Sequence, residues 1–541
     1  MKFAKLFYFG SLLVFLATLG CGGRQSRVEH GNQNQILHYG NGTEPQDLDP
    51  QIVTGVPEHH IIIALLEGLV MPHPKTLEPQ PGVAETWKVS DDLKTYTFNL
   101  RKDAKWSNGD TLNAHDFVKS YQRMLTPTLA AEYSYMLHVM ENAEDFNTGK
   151  IKDFSQVGVK ALDDHTLQIQ LNSPTPYFLS LLSHYSWFPV HLPTIEKHGA
   201  IYERGNRWTR PENYVGNGPF TLAQWKRNQV IVVKKSPTYW DANTVRLNEI
   251  HFYAIESDDT EERAFRSGQM HITQTVPLTK IEVYKKDNPH LIRIDPDLGT
   301  YYYRFNTRKA PLDDRRVRRA LAMAIDRDSI VKNVTRGGQI PAHNFTPPET
   351  AGYTSDANVP YDIAGAKKLL AEAGYPDGKG LPPVEILFNT SEAHRTIAEA
   401  IQQMWNKELN VNARLVNQEW KVYLDSQQHG NYQISRAGWK GDYPDPNTFL
   451  DMWLTDGANN QTGWSNPEYD RLIQEAGRTA DRDKRFDLFR KAEAILIDEL
   501  PMLPIYFYTR VYLIHPSVQG WYPNILDNHP YKHVHLESPG K

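Results

Sequence analysis

Residues 82–123 read GVAETWKVSDDLKTYTFNLRKDAKWSNGDTLNAHDFVKSYQR, and within them TYTFNLR (95–101) alternates apolar and polar side chains. A period of two belongs to a strand with one face on a core and the other in water. TLQIQLN (166–172) repeats the pattern, and shorter strand-like runs follow at VIVV (230–233), LIRI (291–294) and VEILF (384–388). Helical stretches lie between them. In RVRRALAMAIDRDSIV (316–331), Val317, Leu321, Ala324, Ile325 and Val331 keep roughly helical spacing, which predicts a helix with its arginines outward. Asp313 and Asp314 stand before it as N-caps. AGAKKLLAEAGYP (364–376) ends on the stop signals Gly374 and Pro376, and NPEYDRLIQEA (466–476) opens with Asn466 as cap and Pro467 at the first helical position. The alternation predicts an α/β fold whose lobes are joined so that the chain crosses between them more than once.

The chain has 541 residues, more than one hydrophobic core of roughly 250–300 residues accommodates, so two or more lobes are expected. Its 28 tyrosines and 12 tryptophans are enough to line a ligand cleft as well as fill cores. The formal net charge of −5 argues against a general nucleic-acid binder, which needs clustered Lys and Arg. With Cys21 the only cysteine, the chain forms no internal disulfide and no thiolate metal site. The 21 histidines include His59-His60 and the pair His533 and His535; two histidines at i and i+2 on a strand can share a metal, which is the basis for a zinc-hydrolase reading. Against it, the chain has no HExxH pattern, no GxSxG elbow and no Walker loop. Neither an enzyme nor a cofactor or metal is expected.

At the N-terminus, Lys2 and Lys5 precede an apolar run from Leu6 to Leu19 and then Gly20-Cys21, the plan of an export signal over residues 1–20. The run is shorter than the ~20 residues that span a bilayer, and nothing later is apolar enough to do so. Cys21, at the end of that signal, resembles the lipidated cysteine of a lipobox, although Thr18 and Leu19 depart from the pattern; ordinary cleavage nearby is the alternative. Residues 21–34 read as a flexible tether.

One further stretch combines opposite charges with bare backbone. SRAGWKGDYPDP (435–446) sets Arg436 and Asp442 on either side of Gly438-Trp439 and then carries two prolines, Pro444 and Pro446. Two readings are open. The charges form an ion pair beside a turn, or they await a ligand bearing both signs.

The chain resembles the solute-binding proteins that serve peptide and nickel importers of the ATP-driven (ABC) class, and among them the periplasmic oligopeptide-binding proteins. The resemblance runs collinearly through residues 82–123, DDHTLQIQL, GNGPFTLAQW, SPTYWDA, TYYYRFN, VRRALAMAIDRDSIV, LLAEAGYP, NQEW and RAGWKGDYPDP. It implies a two-lobed periplasmic-binding-protein fold of type II with an additional third domain. The implied boundaries are 35–66, 192–297 and 511–541 for the first lobe, 67–191 for the extra domain and 298–510 for the other lobe. It also implies a monomer that works in the periplasm or on the outer face of the membrane, delivers peptides to a membrane permease, and binds no nucleic acid.

By the same resemblance, Asp442 holds a peptide's α-ammonium, and Arg436 the terminal carboxylate of a short peptide, a task suited to a guanidinium fork. Gly438 and its neighbours offer main chain for strand-like pairing. His394 meets the carboxylate of longer peptides, Trp420 and Trp439 line side-chain pockets, Tyr133 contacts the peptide backbone, and Val56 offers main chain. Thr54 stands where close relatives carry a glutamate in the pocket, Arg304 stands near another acidic position, and both changes make the cleft less negative. Gly299 and Lys440 occupy positions that form a cystine in some relatives, and Lys440 brings a new cation toward the peptide's side chains, which favours an anionic peptide. Murein tripeptide is the alternative ligand, ahead of a nickel chelate or haem.

Overall fold

The computed structural model describes residues 25–537. The export signal and Cys21 lie outside the described residues. Three larger sheets organise the rest, with helices packed on them, so the expected α/β class is the observed one.

The stretch that opened the reading lies in a four-stranded antiparallel sheet. Thr95–Leu100 pairs with Ala84–Val89 on one side and Thr166–Gln170 on the other, and Val159–Asp163 completes the sheet. Tyr96 and Phe98 lie opposite Ile169 and Leu167, all buried, so the period of two marks a real inner face. A second sheet runs in the order Ile36–Gly40, Glu249–Tyr253, Val230–Lys235, Phe220–Lys226. The third has six strands in the order Ile340–Pro341, Met502–Leu513, Ile292–Phe305, Ile434–Lys440, Val384–Asn389, Ala413–Gln418.

Two long strands join the second and third sheets. Ile292–Phe305 and Met502–Leu513 pair antiparallel from Ile292 opposite Leu513 to Arg304 opposite Met502, with the register shifting between Pro296 and Thr300. At the far end, Thr273 donates its N–H to the Leu513 carbonyl at 3.0 Å, and Ile272 bridges to Tyr39 of the second sheet. The chain therefore passes between the two sheets along adjacent strands, and the irregular segment around Asp297–Gly299 sits between them. Gly299 lies directly opposite Lys440, the register a cross-strand cystine requires.

Two expectations fail. Residues 27–34 are not a tether but the helix Arg27–Asn34. Ser26 and Glu29 cap it reciprocally, at 3.1 and 2.8 Å, Val28 is buried, and Asn32 meets His271 at 3.2 Å. The Ser-x-x-Glu spacing is a capping-box signal inside a polar segment, and it outweighed the composition. Ser26→Ala is expected to cost about 1 kcal/mol, appearing as faster amide hydrogen exchange confined to residues 27–34. Unchanged exchange there would mean that packing alone holds the helix.

The helix Arg315–Met323 is capped by Asp314 as expected, but its arginines do not all face water. Arg318 is buried and donates to the carbonyls of Leu312, Asp313, Glu499 and Leu500. Its guanidinium satisfies carbonyls at the end of the helix Arg482–Glu499 and in the turn before its own helix, which explains why a cation is tolerated there.

Candidate functional site

A cavity of about 460 Å³ lies between the third sheet, the segments that follow Ile36–Gly40 and Glu249–Tyr253, and residues 132–133 and 183–185. All nine residues singled out from the sequence, Val56, Tyr133, His394, Trp420, Arg436, Gly438, Trp439, Lys440 and Asp442, line it, and so do Thr54 and Arg304.

The strand Ile434–Lys440 forms one wall. On one side it pairs with Ile292–Phe305 along its whole length, but on the other it meets Val384–Asn389 only at Ile434 and Ser435. From Arg436 onward its second edge is open to the cavity. Antiparallel ladders alternate the direction of each residue's main chain. Since Gly441 donates to the Leu298 carbonyl at 2.7 Å, the alternation turns Arg436, Gly438 and Lys440 toward the open edge. The Arg436 carbonyl there accepts from the Tyr423 hydroxyl and from Gln427 Nε2 at 3.1 Å, while Gly438 stands bare. A Cβ on Gly438 would lie 2.4 Å from the Tyr508 hydroxyl, so this approach requires glycine.

The opposite charges of this segment do not pair with each other. Arg436 is held among neutral groups: Nη1 donates to Asn389 Oδ1 at 3.2 Å, Nη2 to the Tyr508 hydroxyl at 2.9 Å, and the guanidinium stands 4.8 Å from the centre of the Tyr301 ring. Its buried Nε has no partner. Among the described residues no carboxylate is in ion-pair contact with it.

Asp442 is 9% exposed and accepts from the Tyr133 hydroxyl at 3.3 Å and the Thr448 hydroxyl at 3.4 Å. The imidazole of His184 lies 3.4 Å away, but burial holds that histidine well below its ordinary 6.5 and hence neutral. Burial without a cation pushes the Asp442 carboxyl up to about 7. One enclosed space thus holds an unpaired cation, an unpaired anion and an open strand edge between them. The ion-pair reading of residues 435–446 fails; the nearby ion pair is instead Asp445 with Arg485, at 2.7 Å.

Lys440 departs from expectation. Its ammonium contacts Asp297, in the irregular segment of Ile292–Phe305, and stands 4.4 Å over the Tyr508 ring. That charge is already partnered, so Lys440 does not supply the free cation assigned to it. His394, near the start of the helix Glu392–Leu409, meets the Tyr301 hydroxyl at 3.4 Å and is kept neutral by burial and by Arg436. Trp439 is anchored by its indole N–H on the Thr448 carbonyl at 2.6 Å, and Trp420 stacks on Tyr423 with centroids 5.6 Å apart. Val56 begins the helix Val56–Leu65 with its first turn at the cavity. Tyr133, and not Tyr135, reaches the cavity; Tyr135 accepts from Asn459 at 3.3 Å.

The histidine pairs do not assemble a metal site. His60 is used by Asn41 at 3.2 Å. His533 ends the short helix Tyr531–His533, so it shares no strand face with His535, which meets Glu537 at 3.1 Å. Sequence reasoning missed His184, Tyr508 and Asp297, which lie far from residues 435–446 along the chain and carry no motif.

Comparison with known proteins adds to this geometry. Residues 78–461 match the family described as bacterial extracellular solute-binding proteins, family 5 (middle). The periplasmic oligopeptide-binding protein OppA of Salmonella typhimurium is 40% identical over 496 residues, 90% of each chain. The murein tripeptide binding protein MppA of Escherichia coli superposes with a TM-score of 0.89 at 37% identity, over 94% of this chain and 99% of that one. Its unliganded open form gives 0.62 over 93% and 98%. Haemophilus influenzae OppA in complex with RPPGFSPFR also gives 0.89, at 36% identity over 94% and 99%. The chain as a whole is therefore arranged less like that open form than like the other two structures.

Proposed function

This chain belongs to the bacterial extracellular solute-binding proteins of family 5, and from that premise we propose that it captures short oligopeptides and hands them to the membrane permease of an ABC importer. The observation that carries the ligand assignment is the pair of unpartnered charges, Asp442 and Arg436, flanking an open strand edge in one cavity. A free peptide is a zwitterion. Enclosing it strips water from both ends, at several kcal/mol each unless opposite charge and hydrogen bonds replace the water. Asp442 receives the ammonium and Arg436 the carboxylate, while the main chain at Gly438 pairs with the peptide as an added strand. Such contacts do not depend on side-chain identity, which suits a receptor for many peptides.

In this reading the protein breaks no bond. The lobes close on the peptide about the paired strands Ile292–Phe305 and Met502–Leu513, and closure is favoured only so far as the ligand binds the closed form better than the open one. We assign the first lobe to 35–66, 192–297 and 511–541, the extra domain to 67–191 and the other lobe to 298–510. No helix among the described residues is long and apolar enough to cross a membrane. The relatives named periplasmic support a place outside the cytoplasmic membrane, with the chain held there through Cys21 or released.

The reading is tested by calorimetric titration of the purified protein, freed of co-purified peptide, with a tripeptide pool and its N-acetylated counterpart. Binding of the unblocked pool alone is expected. Equal binding of both removes Asp442 as the ammonium reader, and binding of neither refutes the assignment.

A further inference from the structure

A third unpartnered charge faces the cavity, on the other side of the same strand. Along Ile434–Lys440, Arg436, Gly438 and Lys440 project to one face of the sheet, and Ser435, Ala437 and Trp439 to the opposite one. Arg304, directly opposite Ser435 on the neighbouring strand, shares that second face. The Arg304 side chain joins the cavity wall while remaining only 6% exposed. Its guanidinium is oriented by neutral groups. Nε donates to the Tyr302 hydroxyl at 3.3 Å, and Nη1 donates to Gln461 Oε1. Nη2 has no hydrogen-bond partner among the described residues, and no carboxylate there is in ion-pair contact with Arg304. The carboxylate whose charge acts on it through the cavity is Glu132, itself pushed up by burial and reached by Gln428 at 3.4 Å.

We propose that Arg304 reads a carboxylate on the peptide's side chains, so that this receptor prefers peptides bearing an acidic side-chain group. The inference rests on the peptide-receptor reading above. A buried guanidinium with a free donor and only neutral partners is compensated when a ligand carboxylate completes its fork. A peptide paired along the open edge of Ile434–Lys440 turns alternate side chains to opposite faces. The acidic group is therefore read at the middle residue of a tripeptide or at the outer two, and not at all three. The carboxylate can come from an α-linked acidic residue or from a γ-linked glutamate, which leaves its α-carboxylate free; Arg304 answers to either.

The test is calorimetry with wild-type protein and tripeptides of alanine carrying Glu, Gln or Lys in turn at each position, together with Ala-γ-D-Glu-Ala. At one parity of position, Glu is expected to bind about 10- to 100-fold tighter than Gln, the range for a hydrogen bond to a charged group, with Lys weaker still. Arg304→Gln brings the Glu to Gln ratio close to one; if that variant does not fold, the wild-type series decides alone. A γ-linked peptide that outbinds every α-linked one supports the inference and names wall-type peptides as the source. Equal affinity for Glu, Gln and Lys at all positions overturns the inference while leaving the peptide receptor intact. Failure of every peptide to bind overturns both.

Discussion

Asp442→Asn is expected to weaken binding of unblocked tripeptides by about 2–5 kcal/mol, roughly 30- to 5,000-fold, as for removal of one partner of a buried charge pair. The amide keeps the shape and a hydrogen-bond acceptor but leaves the peptide's ammonium enclosed without a counter-ion. The same substitution should make the empty protein close more readily. In the closed, peptide-free state, burial raises the Asp442 carboxyl from 3.8 to about 7, which corresponds to ~4 kcal/mol against the ionised closed form. The sign follows from which form holds the proton better. A raised carboxyl favours the closed empty state fully below pH 3.8, and that advantage is lost as the pH rises through about 7. Peptide-free wild type should therefore be more compact at pH 5 than at pH 8 by X-ray scattering, whereas Asp442→Asn should be compact at both. Wild-type affinity in the variant would remove Asp442 as the ammonium reader, and a pH-independent radius in the wild type would remove its part in holding the lobes open. On this account the unpaired carboxylate is a device against empty closure, and the ligand's ammonium releases it.

Arg436→Gln is expected to cost tripeptides with a free C-terminus a similar 2–5 kcal/mol, and to cost their C-terminal amides far less. Arg436 faces the open strand edge with partners that are all neutral: Asn389, Tyr508 and the Tyr301 ring. Comparing both proteins with both peptides isolates the coupling between guanidinium and carboxylate from any general loss of fit. An equal loss for free and amidated peptides would mean that Arg436 supports the site without touching the terminus. The neutral His394 nearby leaves Arg436 as the charge that decides this end of the ligand.

Much of this site was legible in the sequence, but unevenly. The strand at 95–101 and its partner at 166–172 were readable because a half-buried strand writes its inner face into every second residue. Arg436, Gly438 and Asp442 were readable because they fall within a single strand and the turn after it. The helix Arg27–Asn34 was misread because polar composition was given more weight than its Ser26–Glu29 capping box. Arg318 was misread because helical spacing says which face a residue takes and says nothing of carbonyls arriving from another helix.

Charge was the hardest property to read. Lys440, Arg304, Arg436 and Asp442 all look alike on paper as charges in or near the cleft. In the folded chain the first is matched by Asp297, brought opposite by an irregular strand segment, and the other three are left without a counter-ion. By itself the sequence determined the α/β alternation, the family and nine of the residues that line the cleft, because each is written in local period or short collinear motifs. Only the tertiary structure decided which of those charges remain free to meet a ligand. Coulomb partners are chosen by distance in space, and one of the two hydroxyls that meet Asp442 comes from Tyr133, 309 positions away along the chain.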